Sequence, residues 1–325
     1  MRLDLLNESQ AKQALTRARI ALLPLGATEP HGDHLPLATD NLLAERFCAR
    51  LDAALGEVAL TLPAVPYGQV WSLRGHAGAI DLGNDLLTAL LIALARNMQG
   101  YGITSMAVIN AHYGNFDAIK SAVRHLKEHD MHLLSYSWAG MAEAVARLQE
   151  SKTARAGYMH AEEIETALML ALAEEHVDMR QARAHYPDFP ENFNARPIHW
   201  TEFSDYAVLG DPTAASAEKG RALVENYHQF GPYFVIAPGL AMPHARPEQG
   251  ARRAQISLVR LATPLTFGHD ENDPVSVLIG LSATDGDSHI ALIQRVVTVL
   301  GETSKRNILM TSRERDDLLH LFQTS

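Results

Sequence analysis

Between Gly26 and Asp40 the chain reads Gly-Ala-Thr-Glu-Pro-His-Gly-Asp-His-Leu-Pro-Leu-Ala-Thr-Asp, which places Glu29, His31, His34 and Asp40 close together in sequence. Carboxylates and imidazoles without a thiolate suit zinc, manganese or iron, and an aspartate can bridge two ions through its two oxygens. Gly26, Pro30, Gly32 and Pro36 give this stretch tight, defined turns. Taken alone, the same residue types also fit a solvated loop whose His and Asp cap a helix starting near Asn41.

Two further clusters carry compatible chemistry. His112 lies between Asn110 and Asn115, and a lone histidine in such a turn is commonly bonded to loop backbone rather than to an ion. The run His160-Ala161-Glu162-Glu163-Ile164-Glu165-Thr166 opens an apolar helix, where acidic residues also serve as dipole partners. His160 and Glu165 are about 140° apart around a regular helix, so they share a face only if His160 precedes the first turn; Glu163 is the alternative ligand.

Positioning these residues requires strands that end at each loop. Ile20 to Pro24 has the length and bounds of a buried strand, and amphipathic spacing predicts a helix over Asn41 to Leu55. Then come a strand at Val58 to Pro63, a Gly-rich loop from Gly68 to Gly83, a helix over Asp85 to Met98 ended by Gly100 and Gly102, and a strand at Ser105 to Asn110. A helix over Asp117 to about Lys127, a strand over Leu133 to Ser137 and a helix over Met141 to Leu148 continue the alternation, which predicts a parallel sheet covered on both faces. In such sheets ligands bind beyond the carboxyl ends of the strands, where the first cluster and His112 fall.

Glu29-Pro-His31-Gly-Asp-His34-Leu-Pro-Leu-Ala-Thr-Asp40, Asn110-Ala-His112-Tyr-Gly-Asn115 and His160-Ala-Glu-Glu-Ile-Glu165-Thr166, in this order and spacing, resemble the three signatures of the creatininase (creatinine amidohydrolase) family. The resemblance extends from about Ile20 to Glu225. It implies a three-layer α/β domain with a parallel-rich sheet, usually oligomeric and often hexameric. It also implies two adjacent divalent metals, zinc or else manganese or iron, that hydrolyse a carbon-nitrogen bond of a cyclic or linear amide through a hydroxide held between them. Glu29, His31, Asp40, His112 and Glu165 would be the ligands, with Asp40 the bridge and His160 the proton shuttle. The chain departs from creatininase at Gly114, where that enzyme has a glutamate ligand, and at Glu162, where a small residue is usual. Trp71-Ser72-Leu73-Arg74-Gly75-His76 also differs from the family's segment, so creatinine is not assigned as the substrate.

From Tyr227 onward the sequence changes character. Phe230 to Glu248, around Met242-Pro243-His244-Ala245-Arg246, then Phe267 to Val275 and Ser288-His289-Ile290, resemble the enzyme IIA domain of the mannitol/fructose/ascorbate type in the sugar phosphotransferase system. The resemblance implies a smaller α/β domain in which His244 accepts a phosphoryl group from the carrier protein HPr, with His289 its neighbour. Residues 1–226 and 227–325 are thus expected to form a metal-dependent amidohydrolase domain and an enzyme IIA-like domain, shortened at its start unless Ala214 to Phe230 serves both.

Composition bounds these readings. The chain has 325 residues, 47% hydrophobic and 20% charged, as in soluble globular proteins. A net charge of -10 argues against nucleic acid or an anionic membrane as partner. No apolar stretch approaches a membrane span and the N-terminus lacks a signal peptide's apolar region, so the expected location is the cytoplasm. The single cysteine, Cys48, excludes an intrachain disulfide. Two functions remain in competition: an amidohydrolase acting on a small-molecule amide as a homo-oligomer, with the tail appended, or a phosphoryl relay to a sugar permease for which the first domain is a scaffold.

Overall fold

A computed structural model describes residues 1–136, 141–193, 195–229, 235–242, 244–245, 253–265, 272–283, 285–312 and 314–323. Some of these are described by backbone alone, His244 and His289 among them, and the side chains of those two residues lie outside the described structure. The chain divides into two compact units, Met1–Glu225 and Asn226–Ser325.

The first unit is built on four parallel strands, β1 (Ile20–Leu25), β2 (Ala59–Thr61), β3 (Ser105–Asn110) and β4 (His132–Tyr136), in the order β2-β1-β3-β4. Side chains alternate between two cores, as the two-residue period of a strand requires. Ala21, Leu23, Leu25, Met106 and Val108 pack with α3 (Asn84–Gly100) and α4 (Phe116–Lys127), through Leu87, Leu91, Ile119 and Leu126. On the other face Leu22, Ala107 and Ile109 meet Cys48 of α2 (Thr39–Leu55). Leu43 and Ala44 of α2 then pack on Ile164 and Leu168 of α6 (Glu163–Leu172) and Leu223 of α7 (Ala217–Gln229). The parallel sheet with both faces covered is the three-layer α/β arrangement expected from the alternation of elements.

Pro24 in a central strand needs an explanation, because proline cannot donate to a ladder. Its carbonyl accepts from Val65 N at 3.0 Å, so its edge faces the segment beyond Thr61, where β2 has ended and no regular donor is required. The strand signal over Val58 to Pro63 shrinks to Ala59–Thr61 for the same reason: the chain leaves the ladder to enter the loop that reaches the site. α2 begins earlier than its apolar spacing indicates, at Thr39, which puts Asp40 inside the first helical turn.

The second unit has a mixed sheet. Strand β5 (Val235–Ala237) runs antiparallel to β6 (Leu240–Ala241), short strands β6 and β7 (His244–Ala245) run parallel to β9 (Val275–Ser282), and β8 (Gln255–Leu265) runs antiparallel to β9. Val277, Ile279 and Leu281 of β9 pack on Leu292, Val296 and Val299 of α8 (Gly286–Gly301), on Leu309 of α9 (Thr303–Thr311) and on Leu321 of α10 (Arg315–Gln323). The backbone of His244 is in register with Leu281 near the end of β9, and His289 lies in the first turn of α8, which follows that strand.

In the first unit α7 is fastened to α6 by charge. The Glu163 carboxylate is fully buried and accepts from Lys219 Nζ, from Ser151 N at 2.6 Å and from Glu150 N at 3.0 Å. Burial alone would raise the Glu163 pKa, but the Lys219 ammonium and these amides outweigh it and hold the carboxyl below its usual range. Lys219→Ala should cost roughly 3 kcal/mol in urea denaturation at pH 7, the low end of the range for a buried charge left without its partner, because the amides remain. A depressed carboxyl pKa contributes stability that is present above the unfolded value and lost as the pH falls through the folded one. The gap between wild type and variant should therefore close on acidification.

Candidate metal centre

The carboxyl ends of β1 and β3 and the start of α6 deliver the chemistry-bearing residues to one buried place. Glu29 and His31 come from the loop after β1, Asp40 from the first turn of α2, His112 from the turn after β3, and Glu165 from the first turn of α6. Glu29, His31 and Asp40 are at most 1% exposed. Asp40 sits between two groups of donors. Its Oδ1 is 3.3 Å from His31 Nε2, which is 3.5 Å from Glu165 Oε2. Its Oδ2 is 3.1 Å from His112 Nδ1, which is 3.2 Å from Glu29 Oε1. The trios His31/Asp40/Glu165 and Glu29/Asp40/His112 each have ligand atoms within 4.8 Å of one another, and Glu29/His31/His160 makes a third.

Backbone carbonyls orient all three imidazoles. A carbonyl can only accept, so the ring nitrogen facing it carries the proton in every case: His31 Nδ1 to Glu29 O at 3.0 Å, His112 Nε2 to Gln69 O at 2.8 Å, and His160 Nε2 to Pro30 O at 2.8 Å. The opposite nitrogens, His31 Nε2, His112 Nδ1 and His160 Nδ1, then face the carboxylates. This outer shell is how proteins fix the tautomer of metal-binding histidines.

The electrostatics call for positive charge. Burial disfavours the imidazolium of His31, yet Glu165, Asp40 and Glu29 overcome it and raise its pKa to about 10. His112 is driven well above its ordinary value by Glu29 and Asp40, again against burial. His160 goes the other way, well below, through burial and then the positive charge of His31. Burial pushes the Glu165 carboxyl up to about 7, in spite of His31. Protons on His31 and His112 stand here for the cationic charge that three converging carboxylates require. Glu29 Oε2, His31 Nε2 and Asp40 Oδ2 are buried without a hydrogen-bond partner among the described residues, although cationic and anionic atoms lie at ion-pair distance. Buried polar atoms left in this state, in a set of carboxylate and imidazole donors, fit divalent cations.

The structure resolves what helix geometry left open in the sequence. His160 precedes α6, bridged to Leu209, and Ala161 takes a positive φ of 51° before the helix begins. That turn lets His160 and Glu165 face the same place, while Glu163 is committed to Lys219. Glu162, the unusual residue, caps α6 by accepting from Ile164 N at 3.0 Å and Glu165 N at 3.2 Å, with its carboxyl raised by burial to about 7. His34 stands apart, its Nε2 2.9 Å from Thr166 Oγ1 and its pKa lowered to about 4 by burial and then by His31.

A cavity of about 340 Å³ opens over the cluster, walled by Leu73, Tyr113, Tyr158, Phe193, Ile198 and Trp200. Arg196 is the one lysine or arginine among its described lining residues, held by Glu202 at 3.2 Å. Trp200 stands edge-on to His160, ring centroids 5.0 Å apart. These walls, like the Gln69 and Pro30 carbonyls, went unrecognised in the sequence. For Phe193, Ile198 and Trp200 the aromatic density of residues 186–206 is the signal that could have marked the wall.

Comparison with known proteins agrees with this geometry. The creatininase family model, described as creatinine amidohydrolase, matches residues 4–229, and the chain belongs to that family. A mutant creatininase of Zn-Zn type aligns with a TM-score of 0.61 at 25% identity, over 70% of this chain and 94% of that one. A crystal structure of creatinine amidohydrolase aligns with a TM-score of 0.61 at 26% identity, over 70% and 93%. The model for the phosphoenolpyruvate-dependent sugar phosphotransferase system, EIIA 2, matches residues 212–325, so the C-terminal part carries an EIIA domain. The ascorbate-specific PTS system EIIA component of Escherichia coli (strain K12) is 44% identical over 102 residues, 31% of this chain and 66% of that protein. Its counterpart in Salmonella typhimurium is 43% identical over the same shares. The chain thus spans about two thirds of the length of these relatives. No helix among the described residues is long and apolar enough to cross a membrane.

Proposed function

We propose that the first unit hydrolyses a carbon-nitrogen bond in a small cyclic or linear amide at a centre of two divalent metal ions. The observation that carries this reading is the division of Asp40 between two donor groups, Oδ1 toward His31 and Glu165, Oδ2 toward His112 and Glu29. Glu29, Asp40 and His112 would hold one ion, and His31, Asp40 and Glu165 the other. Zinc heads the candidates, followed by manganese and iron, and such ions when bound polarise a carbonyl oxygen and make water acidic enough to attack near neutral pH.

The protein's own groups handle the proton. His160 is neutral near pH 7, its Nε2–H is committed to Pro30 O, and its free Nδ1 lies 3.6 Å from Glu29 Oε1 on the cavity side. It is placed to take a proton from the attacking water and return it to the departing nitrogen. The apolar and aromatic walls exclude bulk water and fit a compact substrate, and Arg196 offers a contact for an anionic group.

Elemental analysis tests the bridge. Wild type should hold two divalent ions per chain and Asp40→Ala neither, whereas two equivalents retained in the variant would remove Asp40 from the bridging role. His160→Ala should keep both ions and lose about 10²–10⁴ in turnover on whichever amide a screen of cyclic amides and lactones identifies. Turnover at the wild-type rate would exclude His160 as the proton carrier.

The second unit favours an added role. Its match to the EIIA model supports His244 as acceptor of a phosphoryl group from HPr, with His289 beside it, in a cytoplasmic protein. The creatininase family match supports assembly as a homo-oligomer of six copies. A second imidazole and loop amides can hold the added charge. Incubation with labelled phosphoenolpyruvate and the purified relay proteins should label wild type and leave His244→Ala unlabelled. Without label on the wild type, the second unit is a structural appendage. With label but no bound metal, the alternative stands: a phosphoryl relay with the first unit as scaffold.

A further inference from the structure

The turn after β3 contains a second asparagine that the proposed chemistry does not use. Asn115 is 0% exposed, at the end of a short 3-10 turn (Tyr113–Asn115) leading into α4. Each polar atom of its side chain has a partner of the right kind. Oδ1 accepts from Gln69 N at 2.9 Å, and Nδ2 donates to Gly26 O and to Asn110 Oδ1, both at 3.0 Å. One acceptor and two donors are what an amide has and a carboxylate lacks. The three partners belong to three separate segments: the end of β1, the Gly-rich loop and the end of β3.

Two of these bonds lead to His112. Gln69, whose N–H goes to Asn115 at 2.9 Å, accepts from His112 Nε2 through its own carbonyl at 2.8 Å. The Asn110 side chain that accepts from Asn115 donates to His112 O at 2.8 Å. The amide thus controls the ring of His112 through one neighbour and its backbone through another. Close approach around it is built in. A Cβ at Gly68 would stand 2.5 Å from Asn115 Oδ1 and 2.8 Å from Gly26 O, and a Cβ at Gly114 would overlap the Gln69 carbonyl and His112 Nε2.

The geometry assigns Asn115 as a positioning residue: it anchors the backbone of Gln69 through its N–H, so that the Gln69 carbonyl holds the His112 ring by Nε2–H with Nδ1 toward Glu29 and Asp40. The effect on ion binding rests on the metal-centre reading, but the effect on the ring does not. Loss of an outer-shell partner lowers metal affinity by about 10–100-fold, and here the loss should fall on the Glu29/Asp40/His112 group alone.

Two readouts test the assignment in the full-length protein. In the metal-free state, 15N-histidine labelling should show a protected Nε2–H on His112 in wild type and its loss to exchange in Asn115→Ala. Cobalt(II) titration against a chelator should show one binding step weakened about 10–100-fold in Asn115→Ala and the other within about 3-fold of wild type. Asn115→Asp, which keeps the acceptor for Gln69 N–H, should bind more tightly than Asn115→Ala at the affected step. Should Asn115→Ala not fold, the Asp variant read against wild type carries the comparison. A protected His112 proton in Asn115→Ala, or equal weakening of both steps in the variant that folds, overturns the assignment. A wild type that binds no cobalt overturns the metal centre instead, and the labelled histidine still decides the role of Asn115.

Discussion

Everything at the carboxyl edge of the sheet answers to one electrostatic demand. Glu29, Asp40 and Glu165 are brought together out of water, and a buried carboxylate without positive charge nearby costs several kcal/mol. These carboxylates raise the imidazole pKa of His31 and of His112 against the opposing effect of burial. The three histidines are not free to turn away, since a backbone carbonyl occupies the far nitrogen of each. A rigid anionic socket with oriented donors favours a divalent cation over mobile protons, because the cation neutralises more charge without any rearrangement.

Much of this was legible in the sequence because the carriers are local. Strands such as Ser105–Asn110 are uninterrupted buried runs, and α3 shows its apolar spacing plainly, so strand-then-loop order put Glu29 and His112 at the same edge of the sheet, while Glu165 came from the motif resemblance. What could not be read lies in the backbone. Gln69, Pro30 and Glu29 act on the histidine rings through carbonyls, which every residue has. The choice between Glu163 and Glu165 turned on a positive φ at Ala161, a conformation alanine rarely adopts and residue type does not announce. The cavity wall was hidden for another reason: the described residues between 173 and 216 form short 3-10 turns and irregular chain, with no periodicity to mark the inward side.

The two family models overlap between residues 212 and 229, over the stretch that contains α7. Within the first unit this helix has a definite duty. Lys219 neutralises Glu163, and a Cβ at Gly220 would overlap the Ala167 carbonyl, so α7 lies against α6 with backbone in contact. α6 is the helix that presents Glu165. Its placement therefore depends on a helix whose sequence also falls within the EIIA match, and a chain cut before α7 would lose the neutralising partner of Glu163 along with the tail.

Gly114 shows why a ligand set does not transfer whole between relatives. At this position creatininase has a glutamate by the resemblance of the motifs, yet here even a methyl group would collide with the Gln69 carbonyl and the His112 ring. In this chain a side chain at Gly114 is incompatible with the Gln69 backbone, which bonds His112 through its carbonyl and Asn115 through its N–H. The Glu29/Asp40/His112 group is then left with three side-chain donors, and the space above it belongs to the cavity, whose lining includes Gly114. An ion held by three such donors would keep coordination positions for water and substrate, the feature that separates catalytic metal sites from closed structural ones.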